Sequence, residues 1–315
     1  MTTAPAGSGE GTIELDITSV DGRVGRALLL EPGAPADTTL FLSAHGSGER
    51  PEDAMHTELA VGLAEQGLAS LRVRTRQSGD GVNTDLFYDS VRDIEAAFWS
   101  AAARGYTRIV LHGHSLGSTQ AAYLAATLWR PELVGVVLTG AFSRLPWKSR
   151  HLLIGDDEIY RTLRAEARAA VVDEHPGEAL PTGMPWIFGG SVPVSARHFL
   201  SYRDTRSAGA RTAEWLPRIP YPVAMIRDEH DPVVAHWEFD ELRASARGGI
   251  SPSVTSLELA SVAGPDSHWF EHSRDQLVDT VADWIGALPT EELRTEPRRT
   301  EPRRTEPPRT ERQRS

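Results

Sequence analysis

The 315-residue chain contains no cysteine, which removes disulfides, thiolate metal centres and a cysteine nucleophile together. Lysine is almost as scarce: Lys148 is the only one. A single lysine leaves little room for Schiff-base chemistry, and Lys148 lacks the preceding glycines that a phosphate-binding loop needs. No run approaches about eighteen consecutive apolar residues, so no membrane-spanning helix is expected. Residues 1–11 are small and polar, without the apolar stretch of a secretory signal, and the expectation is a soluble, cytoplasmic protein. No repeat spans the body, which argues against a solenoid or propeller.

Charge is present but uneven. The overall formal charge is −11, yet from Glu291 onward eight arginines face six glutamates, leaving −13 on residues 1–290. An acidic body disfavours nucleic acid as a partner, because neutralising phosphates takes a basic surface. The segment from Arg294 repeats Arg-Thr-Glu-Pro with small variations, and prolines at 297, 302, 307 and 308 forbid a continuous helix. With nothing apolar to bury, residues 291–315 read as a disordered tail. Deleting them should leave activity intact.

The body alternates strand and helix patterns. Gly11–Thr18, Val24–Leu30 and Thr38–Ala44 read as strands, followed by a helix over Pro51–Gly67 and a strand over Ala69–Val73. A helix over Tyr88–Gly105, a strand over 108–112, a helix from Leu116 to about Trp129 and a strand over Leu133–Leu138 continue the series. Such alternation with short links makes a mainly parallel sheet covered on both faces, with ligands beyond the carboxyl ends of its strands. The pattern stops at Phe142 and returns only with a strand over Pro222–Ile226. A helix over Trp237–Ala246, a strand over Val254–Leu259 and a helix over Ser273–Leu288 complete it. The roughly eighty residues between are too many for a plain connection. They show no clear strand, one helix over Asp157–Asp173, a shorter one near Ser195–Tyr202, and aromatics at Trp147, Trp186, Phe188, Phe199, Tyr202 and Trp215. Residues 143–220 are expected to form an inserted helical lid over the strand ends. The sheet and its helices occupy 11–142 and 221–290.

The strand at 108–112 runs into Gly113-His114-Ser115-Leu116-Gly117, a G-x-S-x-G sequence between a strand and a helix. That is the setting in which a tight turn lifts a serine hydroxyl above the sheet edge. A serine needs a base to take its proton and a third group to orient that base. For the acid, Asp228, Glu229 and Asp231 all follow the strand at 222–226. Asp231 fits best, because the following Pro-Val-Val carries it over the sheet edge; Asp228 is the runner-up. For the base, His268 lies in a turn-rich loop after the last strand, with His272 as the nearby alternative, and the chain order Ser, Asp, His matches this architecture. Two backbone N–H groups are candidates to stabilise an oxyanion. They are that of Leu116, behind the serine, and that of Ser47 in the loop His45-Gly46-Ser47-Gly48. His112 and His114, two apart, are too few for a metal centre, which wants three or four ligands.

These residues resemble the α/β-hydrolase superfamily of serine hydrolases, over roughly 11–288, through HG at 45–46, GHSLG at 113–117, DP at 231–232 and the late His268. The resemblance implies the α/β-hydrolase fold: an eight-stranded, mostly parallel sheet, a helical cap inserted after the sixth strand, and no cofactor. Serine at the nucleophile position argues against the dehalogenase and epoxide hydrolase branches. Residues 74–81, Arg-Thr-Arg-Gln-Ser-Gly-Asp-Gly, lack the aspartate and Arg-Gly pair common there in relatives, so no subfamily is assigned. The expected chemistry is transfer of an acyl group from a small-molecule ester, or thioester, to water through Ser115. A different class remains open: a non-hydrolytic lyase, cyclase or binding protein on the same fold. Arg144, Arg150, Arg197, Arg203 and Arg211 in the lid are candidates to meet an anionic substrate group. The sequence does not read out an oligomeric state.

Overall fold

The computed structural model describes residues 11–186, 189–207 and 209–289. Phe188 and the repetitive segment 291–315 lie outside them. The strands are β1 (Thr12–Thr18), β2 (Val24–Leu30), β3 (Leu40–Ala44), β4 (Ala69–Val73), β5 (Ile109–His114), β6 (Leu133–Thr139), β7 (Met184–Pro185), β8 (Ser191–Val192), β9 (Val223–Asp228) and β10 (Val254–Leu259). The helices are α1 (Ala54–Glu65), α2 (Phe87–Ala103), α3 (Leu116–Thr127), α4 (Leu145–Lys148), α5 (Asp157–Val172), α6 (Ala196–His198), α7 (Thr212–Trp215), α8 (His236–Arg247) and α9 (Arg274–Gly286).

Eight strands form one sheet in the order β1-β2-β4-β3-β5-β6-β9-β10. β2 is antiparallel to both β1 and β4, and every other pairing is parallel. Strands β3, β4, β5, β6 and β9 are buried along their whole length, whereas β1 at the edge alternates between exposed and covered positions. That difference explains why the inner strands read as continuous apolar runs: both of their faces are covered. Successive residues feed opposite layers. Phe41, Val110 and Val137 pack with Leu59 and Leu63 of α1 and with Leu277 and Val281 of α9. Leu42, Leu111 and Leu138 pack with Ile94 of α2, Leu124 of α3 and Phe239 of α8.

Between β6 and β9 the chain leaves the sheet and builds a third cluster, from Tyr160, Leu163, Leu180, Met184 and Phe199 among others. Helix α5 starts at an Asp156 cap that accepts hydrogen bonds from Glu158 N (2.7 Å) and Ile159 N (3.0 Å), a local signal that its sequence carries plainly. The rest of the excursion departs from the sequence pattern. Its β7–β8 pair is only two residues a side, too short for any periodicity. The helix expected near Ser195–Tyr202 is a single turn, α6, continued by a wider helical turn over Phe199–Arg203.

Candidate functional site

The parallel strands end together at one edge of the sheet, and the chemistry-bearing residues collect there. At the end of β5 the chain turns at Ser115 into α3, with Ser115 at φ 51° and ψ −118°. A non-glycine residue at positive φ stores backbone strain, which persists only where the surroundings hold it. Here Ser115 N donates to Thr139 O (2.9 Å), and Ser118 N donates to Ser115 O (3.0 Å). The flanking glycines are required by contact. A Cβ at Gly113 would lie 2.3 Å from Gly117 O, and one at Gly117 would lie 2.5 Å from Ala44 O. Neither approach is sterically possible, so the G-x-S-x-G spacing follows from the tightness of this crossing.

Asp231 and His268 come together although 37 positions separate them. Asp231 Oδ2 accepts from His268 Nδ1 at 2.9 Å, while Oδ1 accepts from Val233 N (2.7 Å) and Val234 N (3.0 Å). Burial alone would raise the Asp231 carboxyl. The His268 charge, its hydrogen bond and the two backbone N–H groups outweigh that and hold it below its ordinary value. With Nδ1 engaged, Nε2 is the nitrogen left for proton transfer. The His268 ring lies against His114, centroids 4.9 Å apart, and a Cβ on Gly140 would be 2.9 Å from its Cε1. His268 is thus beside the residue that precedes Ser115. No hydrogen bond joins Ser115 to His268.

The alternatives are occupied otherwise. Asp228 accepts from Ser261 Oγ (2.6 Å), Ser273 Oγ (2.6 Å) and His230 N (2.9 Å), which ties the loops after β9 and β10 together. Glu229 accepts from Ser261 N (2.8 Å). His272 is exposed and faces Glu271 at 4.0 Å.

The loop at 45–49 lies directly against the serine: a Cβ on Gly46 would be 2.9 Å from Ser115 Cβ. Ser47, Ser115 and Leu116 line one pocket. Neither Ser47 N nor Leu116 N donates a hydrogen bond to any described residue, so both are free to receive an anionic oxygen. The Ser47 hydroxyl is buried and also lacks a partner among the described residues.

Glu49, which the sequence does not single out, organises this loop. Its Oε2 accepts from Gly46 N (2.8 Å) and His56 Nε2 (2.8 Å), and its Oε1 accepts from Trp269 Nε1 (2.8 Å). Burial works to raise Glu49, but neighbouring His114, the His56 hydrogen bond and the Gly46 N–H hold it well below the carboxylate range. One carboxylate therefore links the loop of Ser47, helix α1 and the residue after His268. The signal available in sequence was only a glutamate three positions after Gly46, indistinguishable from a solvated loop residue.

The paired histidines His112 and His114 serve the scaffold. His112 bridges Ser43 Oγ and Thr139 Oγ1, each at 2.9 Å, and stacks on Phe41. His114 Nδ1 meets the same Thr139 hydroxyl at 3.0 Å. Burial lowers His114 to about 3 and keeps it uncharged. Among the described residues no group of three or more His, Asp or Glu is placed to hold a metal ion.

The excursion supplies most of the remaining wall, including Phe142, Leu145, Leu153, Met184 and Trp186 together with Lys148 and Arg203, and Val233 after β9 completes it. The five arginines of the excursion separate sharply. Arg144 pairs with Glu241, Arg150 with Asp157 and Arg211 with Glu214, and Arg197 donates to Thr84 O. Arg203 alone of the five reaches the pocket, where burial lowers it to about 10.

No protein-family model matches the sequence, and no curated protein is similar to it at a significant level. Solved structures are similar across nearly the whole chain. Est1E from Butyrivibrio proteoclasticus, bound to ferulic acid, is 16% identical over 86% of this chain and 97% of its own, with a TM-score of 0.64. The Pyrococcus furiosus esterase Pf2001 is 14% identical over 88% and 91%, with a TM-score of 0.62. The α/β hydrolase GrgF from Penicillium sp. sh18 is 15% identical over 87% and 97%, again at 0.62. The chain has the α/β-hydrolase fold.

Proposed function

We propose that the protein is a serine hydrolase that cleaves a small carboxylic ester, or thioester, through an acyl-enzyme on Ser115. The observation that carries this reading is the convergence of a strained serine at a strand end with a buried Asp231–His268 pair 2.9 Å apart. In the mechanism, His268 Nε2 takes the Ser115 proton as the hydroxyl attacks the carbonyl. The free N–H groups of Ser47 and Leu116 receive the oxyanion. His268 then protonates the leaving group, and a water activated by the same nitrogen releases the acid. Asp231 holds the imidazole in the required tautomer and stabilises its cation. Residues 143–220 act as the cap that encloses the acyl group, and the triad needs no cofactor.

The esterases among the structural neighbours support ester cleavage ahead of other acyl transfers. The test is covalent labelling by a fluorophosphonate, read by mass spectrometry at Ser115. Ser115→Ala should abolish labelling and lower turnover of short p-nitrophenyl esters by about 10⁴-fold or more. Folded protein that resists labelling and turns over no ester would overturn the proposal and favour a non-hydrolytic binding protein.

A further inference from the structure

Two cations line the pocket that contains Ser115, and they are held differently. Lys148 is 3% exposed, and its ammonium group is spent on Glu238 and on Val233 O. Arg203 is equally buried at 3%, but no carboxylate lies within 4 Å of it among the described residues. Among the described residues its guanidinium donates only to two neutral oxygens at long range, Ser149 Oγ and Asn83 Oδ1, both at 3.3 Å. Nε is buried with no partner among them. The buried arginines away from this pocket are held more tightly: Arg227 faces Glu258 at 2.8 Å, and Arg72 donates to Pro51 O (2.9 Å) and Thr57 Oγ1 (2.8 Å).

An uncompensated buried guanidinium is strongly unfavourable, and proteins retain one where something else brings the counter-charge. Its position is held with some effort. Asn83, which fixes one end of the fork, adopts φ 58° and also donates to Pro193 O (3.4 Å). We propose that Arg203 is the receptor for an anionic group on the substrate, and that the substrate is an ester or thioester whose acyl part ends in a carboxylate. This rests on the hydrolase reading of Ser115 and narrows it. A carboxylate matches the fork of a guanidinium in a two-bond pair. A single arginine also balances a single negative charge, with Phe142, Leu145 and Met184 left to cover the methylenes between the two ends.

The experiment compares monoethyl esters of dicarboxylic acids, from succinate to adipate, with ethyl alkanoates of equal carbon number, quantifying the acid released. At the best chain length the wild-type protein should prefer the half-ester by about 30-fold or more in kcat/KM. Arg203→Met should remove that preference, lowering kcat/KM for the half-ester about 30-fold more than for the neutral ester; Arg203→Lys, which keeps charge but not the fork, should fall between. No preference at any length, or an equal loss on both substrates in the variant, would overturn the proposal. Calorimetry of glutarate and adipate with Ser115→Ala gives a readout that needs no turnover. Binding weakened about 30-fold by adding Arg203→Met supports the receptor, and unchanged or absent binding refutes it. If fluorophosphonate labelling fails while this binding holds, the hydrolase reading falls and the anion receptor stands.

Discussion

At the level of single residues, the site depends on side chains that touch no substrate. Glu49 is the clearest. Replacing it by alanine removes the acceptor for Gly46 N, Trp269 Nε1 and His56 Nε2 together, leaving three donors without their partner. Loss of a buried, charge-assisted network of this kind costs about 2–4 kcal/mol of stability. Because the same loop carries Ser47, kcat should fall by about 10²-fold, the effect of misplacing one oxyanion donor. Thermal unfolding and kcat measured on Glu49→Ala and Glu49→Gln check both. Gln retains an acceptor oxygen, so it should recover most of the stability while its kcat stays low. Glu49 carried no signal in the sequence, and Arg203 was one of five arginine candidates with nothing to separate it from the others. Both are long charged side chains in loops or turns, and such residues are usually solvated. Only burial among specific partners, or the lack of a partner, marks them out.

Among elements, two glycine contacts separate folding from catalysis. Gly62 on α1 meets α9: a Cβ there would lie 2.7 Å from Val278 Cγ1. Gly62→Ala should destabilise by about 1–3 kcal/mol through overpacking and leave kcat unaltered, since this helix pair lies on the sheet face and not at its edge. Gly117→Ala places its Cβ against the Ala44 and His45 carbonyls, so α3 must shift away from β3. Ser115 heads that helix, and turnover should collapse along with stability. Circular dichroism melts and ester turnover on the two variants test the contrast. The core elements were legible in sequence to within a few residues, because buried parallel strands and one-sided helices write their burial into periodicity. β5 nevertheless runs on to His114 and β9 to Asp228, beyond the apolar runs, because polar side chains there are buried by partners from neighbouring strands. The short pieces of the excursion were not legible. α4, α7 and the β7–β8 pair span two to four residues each, and their conformation follows from what they pack on.

For the molecule as a whole, the buried histidines set the response to acid. Burial lowers His45 and His198 to about 4 and His114 to about 3, from an ordinary 6.5. In the unfolded chain these rings take up protons near pH 6.5, while in the folded protein they do not. The unfolded state then binds more protons, and stability rises with pH across that interval. Glu49, held low in the fold, acts in the same direction at lower pH. Tm should be level above pH 7 and fall steadily from about pH 6.5 towards pH 4; a Tm that holds level to pH 4 would contradict the neutral, buried assignment. Among the described residues no helix is long and apolar enough to cross a membrane.

What the sequence determined by itself was local or periodic. The serine turn could be read because steric crowding allows only glycine on either side. The sheet layers could be read because burial on both faces leaves an apolar run, and the order Ser, Asp, His because topology orders the strand ends. It left three acids and two histidines open around β9 and after β10. Tertiary structure brought Asp231 and His268 together and gave Asp228, Glu229 and His272 other partners, since a hydrogen bond between residues 37 positions apart depends on how two loops fold over one edge. It also decided which of five arginines faces the pocket. Neutralisation is a property of three-dimensional surroundings: four of those side chains found an oxygen partner at the surface, and Arg203 was folded inside without its counter-charge.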